Sequence, residues 1–144
     1  MRNNILIGTT LAALLAFSSF PAMANSVNLN QFGFGNAAGG AQFGVGNDIG
    51  IFQNGIHNKG TSKQHGNGNL GVIGQDGVDN TAGTDQHGDG NAAGIGQFGS
   101  DHNATISQDG NGNIAAGVQV GHGCDADVAQ AGSGNVAAFV QDCP

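Results

Sequence analysis

The sequence predicts an all-β fold, a β-solenoid of stacked strand–turn–strand rungs. Three observations predict it. Glutamine recurs at every eleventh position without a break, glycine stands two places after each of the first ten glutamines, and the positions leading up to each glutamine alternate in character. The glutamines are Gln31, Gln42, Gln53, Gln64, Gln75, Gln86, Gln97, Gln108, Gln119, Gln130 and Gln141, and the chain has no others. A fixed period without insertions marks a repeat architecture, in which one small unit is stacked on copies of itself.

Each element of the unit follows from the residues. In Asn91-Ala92-Ala93-Gly94-Ile95-Gly96-Gln97, Asn91, Ala93, Ile95 and Gln97 share one parity. Period two is the strand signature. The unit therefore reads as a seven-residue strand and a four-residue turn. Asn113 to Gln119 fits less cleanly, because Gly117 takes the usual apolar slot. The turn is x-Gly-x-Gly where complete, as in Phe43-Gly44-Val45-Gly46. Its second glycine is replaced by His57, Asp79 and Asp101. Asp and His are enriched at positive φ, so that position predicts a left-handed backbone.

A second column lies five places after each glutamine. Asn47, Asn69, Asn91, Asn113 and Asn135 are unbroken, and Asn25 stands in register before them. The intervening units carry Asn36, Asn58, Asn80, His102 and Cys124. Two kinds of unit alternate, so the deeper period is a pair of units, with two strands per rung. Five such 22-residue repeats start near residues 36, 58, 80, 102 and 124, after a half repeat at 25–35. At ~4.8 Å per rung the stack is roughly 26 Å tall.

Alternation gives the amides the parity of Ile51, Ile73, Ile95, Ile106, Val128 and Phe139, so they point inward. A buried amide is costly unless hydrogen-bonded. Identical amides stacked in columns meet that demand, each donating to one neighbour and accepting from the other. The Gln column and the column of Asn25, Asn47, Asn69, Asn91, Asn113 and Asn135 form the expected stacking ladder. The repeat begins in register at Asn25, with no cap, so the stack is expected to polymerise head to tail.

Composition narrows the function. The chain of 144 residues has 28 Gly, no Trp, no Tyr and a formal charge of −7. Three Lys and Arg residues cannot form the cationic surface that nucleic acid needs. No nucleophile–base–orienter set recurs, so no enzyme and no cofactor are expected. Arg2, the apolar run Ile5 to Phe20 and Ala22-Met23-Ala24 read as a signal peptide over residues 1–24. The mature chain, 25–144, is expected to be secreted and not membrane-inserted. Scattered Asp residues oppose runaway aggregation.

Cys124 and Cys143 are an even pair in a secreted chain, so a disulfide is the default. A bond within the chain, a bond between chains and two free thiols remain the alternatives. His65 and His87 share a slot two units apart, with Asp109 next in line. Such a column suits a transition metal, but exposed turn residues are the simpler reading, and no metal site is assigned.

At this point the residues resemble the curlin repeat family, the subunits of bacterial curli fibres. The family repeat runs Ser-x5-Gln-x-Gly-x-Gly-Asn-x-Ala-x3-Gln. Residues 80–97 match it with Asn80 in place of Ser, then Gln86, Gly88, Gly90, Asn91, Ala93 and Gln97. Gln108, Gly110, Gly112, Asn113, Ala115 and Gln119 match it again, as do Gln130, Gly132, Gly134, Asn135, Ala137 and Gln141. The resemblance implies a functional amyloid, an extracellular fibre (curli pilus) for cell adhesion, aggregation and biofilm matrix. It also implies self as partner, an outer-membrane export pore and a nucleator curlin. The chain departs from the family in its cysteines and in lacking a Gly- and Asn-rich segment before the repeats. It looks most like a major subunit. The alternatives are a minor nucleator, or a monomeric secreted solenoid that binds a surface or polysaccharide.

Overall fold

The computed structural model describes residues 24–144. The signal peptide assigned to residues 1–24 lies, except for Ala24, outside them. The strands are β1 (Ser26–Phe34), β2 (Ala37–Phe43), β3 (Asp48–Ile56), β4 (Lys59–His65), β5 (Leu70–Val78) and β6 (Thr81–His87). They continue as β7 (Ala92–Ser100), β8 (Asn103–Asp109), β9 (Ile114–His122), β10 (Asp125–Ala131) and β11 (Val136–Cys143). The odd strands form a six-stranded sheet and the even strands a five-stranded sheet. All neighbours are parallel and paired at 22-residue spacing, so Ile51 pairs with Ile73 and Gln53 with Gln75. The molecule is a β-solenoid of about five turns.

The two sheets bury one face each against the other. Along β4 burial alternates strictly, with Gly60, Ser62 and Gln64 inside and Lys59, Thr61, Lys63 and His65 outside. Ile49, Ile51, Ile73, Ile95 and Ile106 form the apolar core with Ala82, Ala93, Ala104 and Ala115. The core is narrow, because a bulky residue on one sheet meets a small one elsewhere. A Cβ on Gly60 would stand 2.9 Å from Ile51 Cγ2. A Cβ on Gly117 would strike the ring of Phe139, its partner on the next rung. The gap in the apolar pattern at Gly117 is thus the space that Phe139 fills.

The uniform division into seven strand and four turn residues holds only for the even units. The odd strands β1, β3, β5, β7 and β9 run for nine residues and β11 for eight. After an odd glutamine the chain keeps pairing through the turn, as Gly55↔Gly77 and Ile56↔Val78. After an even glutamine the ladder pauses. There the Val45 N–H donates to Asn67 Oδ1, Asn67 N–H to Asp89 Oδ1 and Asp89 N–H to Asn111 Oδ1.

The first turn glycine has φ from 100° at Gly121 and Gly132 to 137° at Gly77. In the second slot His57, Asp79 and Asp101 have φ of 56°, 57° and 58°. A Cβ on Gly77 would run into the Gly99 carbonyl oxygen, besides forcing an unfavourable φ. At Gly74, on the outer face, a Cβ meets nothing within 4 Å. Gly77→Ala is therefore expected to cost more than ~2 kcal/mol and Gly74→Ala less than ~0.5 kcal/mol. Denaturant titration followed by circular dichroism checks the pair; equal losses would contradict the packing described.

Candidate functional site

The glutamines build two columns inside the solenoid. In the odd column Gln31 donates through Nε2 to Gln53 Oε1 at 2.7 Å, Gln53 to Gln75 at 2.7 Å and Gln75 to Gln97 at 2.8 Å. Gln97 donates to Gln119, and Gln119 to Gln141, each at 2.9 Å. In the even column Gln42, Gln64, Gln86 and Gln108 each donate to the next, ending on Gln130 at 2.8 Å. The second Nε2 hydrogen crosses to the other sheet. Gln75 gives it to the Lys59 carbonyl at 3.1 Å, and Gln64 to the Asp48 carbonyl at 3.0 Å. Each interior glutamine thus uses both donors and its acceptor. Gln53, Gln64, Gln86, Gln97 and Gln119 are fully shielded from solvent.

The asparagines work differently. Asn47 Oδ1 accepts from the Asn69 backbone N–H at 3.0 Å, and its Nδ2 donates to the Gly66 carbonyl at 2.8 Å. The pattern repeats at Asn69, Asn91 and Asn113, and Asn25 Oδ1 accepts from the Asn47 N–H. Asn135 closes the column on the Ala131 carbonyl. This column ties side chains mainly to the turn backbone, with one amide–amide bond from Asn69 Nδ2 to Asn47 Oδ1 at 3.2 Å, whereas the glutamine columns join amide to amide throughout. In the intervening column the buried His102 stands in for Asn. Its Nδ1 accepts the Cys124 N–H at 3.1 Å, and its Nε2 lies 3.3 Å from the Phe98 carbonyl. Those partners assign the hydrogen to Nε2.

Two polar contacts escaped the sequence reading. One is the column of Asn67, Asp89 and Asn111 in the even turns. Its only sequence mark is three short acceptor side chains at 22-residue spacing. The other is the buried hydroxyl pair in which Thr84 donates to Ser62 at 2.7 Å.

The ladder has a direction. Every Gln–Gln bond runs from the lower to the higher residue number. Among the described residues, nothing donates to Oε1 of Gln31 or Gln42. At the other end Gln130 and Gln141 spend one Nε2 hydrogen on the Ile114 and Asp125 carbonyls. Their second hydrogens have no acceptor among the described residues. In the glutamine columns one end offers amide oxygens and the other amide hydrogens.

The remaining candidates are placed as follows. Cys124 and Cys143 are joined in a disulfide within the chain, with Cα atoms 5.7 Å apart. It ties β11 to the start of β10. His65 stacks on Phe43 at 4.6 Å and meets His87 edge-on at 5.0 Å, forming an aromatic column. Among the described residues no group of three or more metal-ligating side chains converges. Ser100 Oγ and Asp101 Oδ2 both approach His122 Nδ1, at 2.8 and 3.4 Å. A nucleophile–base–acid relay needs the opposite ring nitrogens, so this surface trio cannot pass a proton along it.

Gln75→Glu tests the ladder. A carboxylate there would face two acceptors, Gln97 Oε1 and the Lys59 carbonyl. Burial and those partners raise its folded-state pKa above the ~4.3 of the unfolded chain. The penalty is therefore full above the folded pKa and shrinks as pH falls through it. We expect a loss of about 3 kcal/mol or more at pH 7, smaller at pH 4. Asp76→Asn, on the exposed neighbour, is expected to change little. Chemical denaturation at the two pH values reads the result, and a pH-independent loss at Gln75 would contradict the burial of the amide.

Comparison with known proteins follows the same repeat. Residues 77–110 match the family model of the curlin associated repeat. No curated protein matches the chain. The match covers about one and a half of the 22-residue periods, and its frame of glutamines continues in register on both sides. The chain is a β-solenoid that carries a match to the curlin associated repeat over residues 77–110.

Proposed function

We propose that the chain is the structural subunit of an extracellular curli-type amyloid fibre. In this reading residues 1–24 direct export and are removed, and residues 25–144 stack head to tail on further copies. The fibre then serves adhesion, aggregation and biofilm matrix, with a nucleator curlin and an outer-membrane pore as partners. The observation that carries the proposal is the directed glutamine ladder. An end face of amide oxygens is complementary to an end face of amide hydrogens, and the parallel strand edges beside them are equally open. Joining the two faces gives the free glutamine hydrogens at one end acceptors on the next copy. The curlin repeat match supports the same reading.

The test is self-templating. The chain from Asn25 onward, diluted from denaturant at neutral pH, is expected to assemble after a lag that preformed seeds remove. Its fibres should diffract near 4.7–4.8 Å and at about 10 Å. A chain that stays soluble, monomeric and rich in β-structure would overturn the proposal in favour of a solenoid that binds a surface.

A further inference from the structure

We infer that the outer face of the six-stranded sheet pairs with the same face of a second copy, so that two solenoids run side by side. The inference rests on the fibre reading above and deepens it. The two outer faces of the solenoid differ in kind. Phe52, Val72, Phe98, Val118, Val120 and Val140 stand exposed on the six-stranded sheet. Among the described strands of the five-stranded sheet, only Phe43 is a large exposed apolar residue. That face carries Lys59, Lys63, Asp85, Asp125 and Asp127 instead. Exposed apolar side chains gathered on one face mark an interaction site.

The pattern within each rung identifies the occupant. Two columns run up the middle of the face, formed by residues two apart on each strand. In β3 they are Gly50 and Phe52, in β5 Val72 and Gly74, in β9 Ala116 and Val118, and in β11 Ala138 and Val140. In these four strands each pair joins a small residue to a large one, and in β1 the pair is Asn28 and Asn30. A two-fold axis along the stack, passing between the columns, places each residue opposite its partner in the other copy. Every large side chain then faces a small one. Phe52 enters the hollow over Gly50, a depression of about 190 Å³ bounded by Asn28, Asn30 and Val72. Val72 faces Gly74, where the space above the backbone is open. In β7 both central residues are Gly94 and Gly96, and there the flanking Phe98 faces Ala92.

Charge permits the pairing. The two central columns contain no charged residue. On the flanking columns the same axis sets Asp48 opposite Asn54, Asp76 opposite Leu70 and Asp142 opposite Val136, so no carboxylate faces another. The area is sufficient. Six strands of about nine residues span roughly 30 Å by 30 Å, on the order of 800 Å² per copy, which is a standard-sized interface.

Mass per length of fibres from the chain beginning at Asn25, measured by dark-field scanning transmission electron microscopy, tests the inference. Two chains per roughly 26 Å of fibre, the height of one solenoid, are expected. Val118→Lys and Val72→Lys point outward and touch no ladder residue. Each is expected to halve the mass per length while keeping the cross-β reflections. Thr105→Lys, on the opposite face, should leave it unchanged. One chain per roughly 26 Å in the unaltered fibre overturns the pairing and leaves the fibre reading intact. Doubled mass that persists in both Lys variants, or is lost in Thr105→Lys, overturns the face assigned. If a Lys variant forms no fibre, the unaltered chain's mass per length decides. If the unaltered chain forms none, the fibre reading fails, and sedimentation velocity then decides the pairing: a dimer supports it and a monomer overturns it.

Discussion

A glutamine amide enclosed between two sheets must place two hydrogens and one oxygen, and water is not available to any of them. The solenoid meets that constraint by translation. A copy of the same amide one rung away accepts one hydrogen, a copy on the other side supplies the oxygen's donor, and a carbonyl of the facing sheet takes the last hydrogen. Each net bond contributes only about 1 kcal/mol, but an amide left alone costs about 1–3 kcal/mol. The asymmetry enforces register. A slip of one residue would turn every glutamine outward and every exposed valine inward.

Other features follow from holding that register. Rungs can superimpose only if the turns are identical in path. The turn glycines adopt positive φ, and the asparagine column binds each turn's backbone to the next. Where the column departs from Asn, His102 keeps an acceptor and a donor in the same places. Where it ends in Cys124, the disulfide to Cys143 anchors β11. The core tolerates mixed side-chain sizes because compensation occurs locally, as between Gly117 and Phe139.

Much of this was legible in the residues. The 11-residue glutamine spacing and strand parity placed the amides inside, and the Asp and His substitutions identified the left-handed turn position. Other parts were not legible, for physical reasons. Gln-x-Gly reads the same in both kinds of turn, yet one continues the backbone ladder and the other hands its N–H to Asn67, Asp89 or Asn111. That choice depends on side chains one rung away. The asparagine bonds reach a carbonyl 19 residues on, outside the repeat's own period, so spacing gave no hint of them. The alternatives left open for the two cysteines turn on Cα positions, which only the fold supplies. The apolar outer face appears only when odd and even strands are sorted onto separate sheets.

The central claim is that the glutamine side chains are linked in register, residue to residue, from each rung to the next. Solid-state NMR of assembled protein, with labelled glutamine side chains, reads it most directly. Through-space contacts should join each Nε2 to the side-chain carbonyl of the matching glutamine one rung on, and the interior amide hydrogens should resist exchange. Side-chain amides that exchange as fast as free glutamine, without those contacts, would contradict the account.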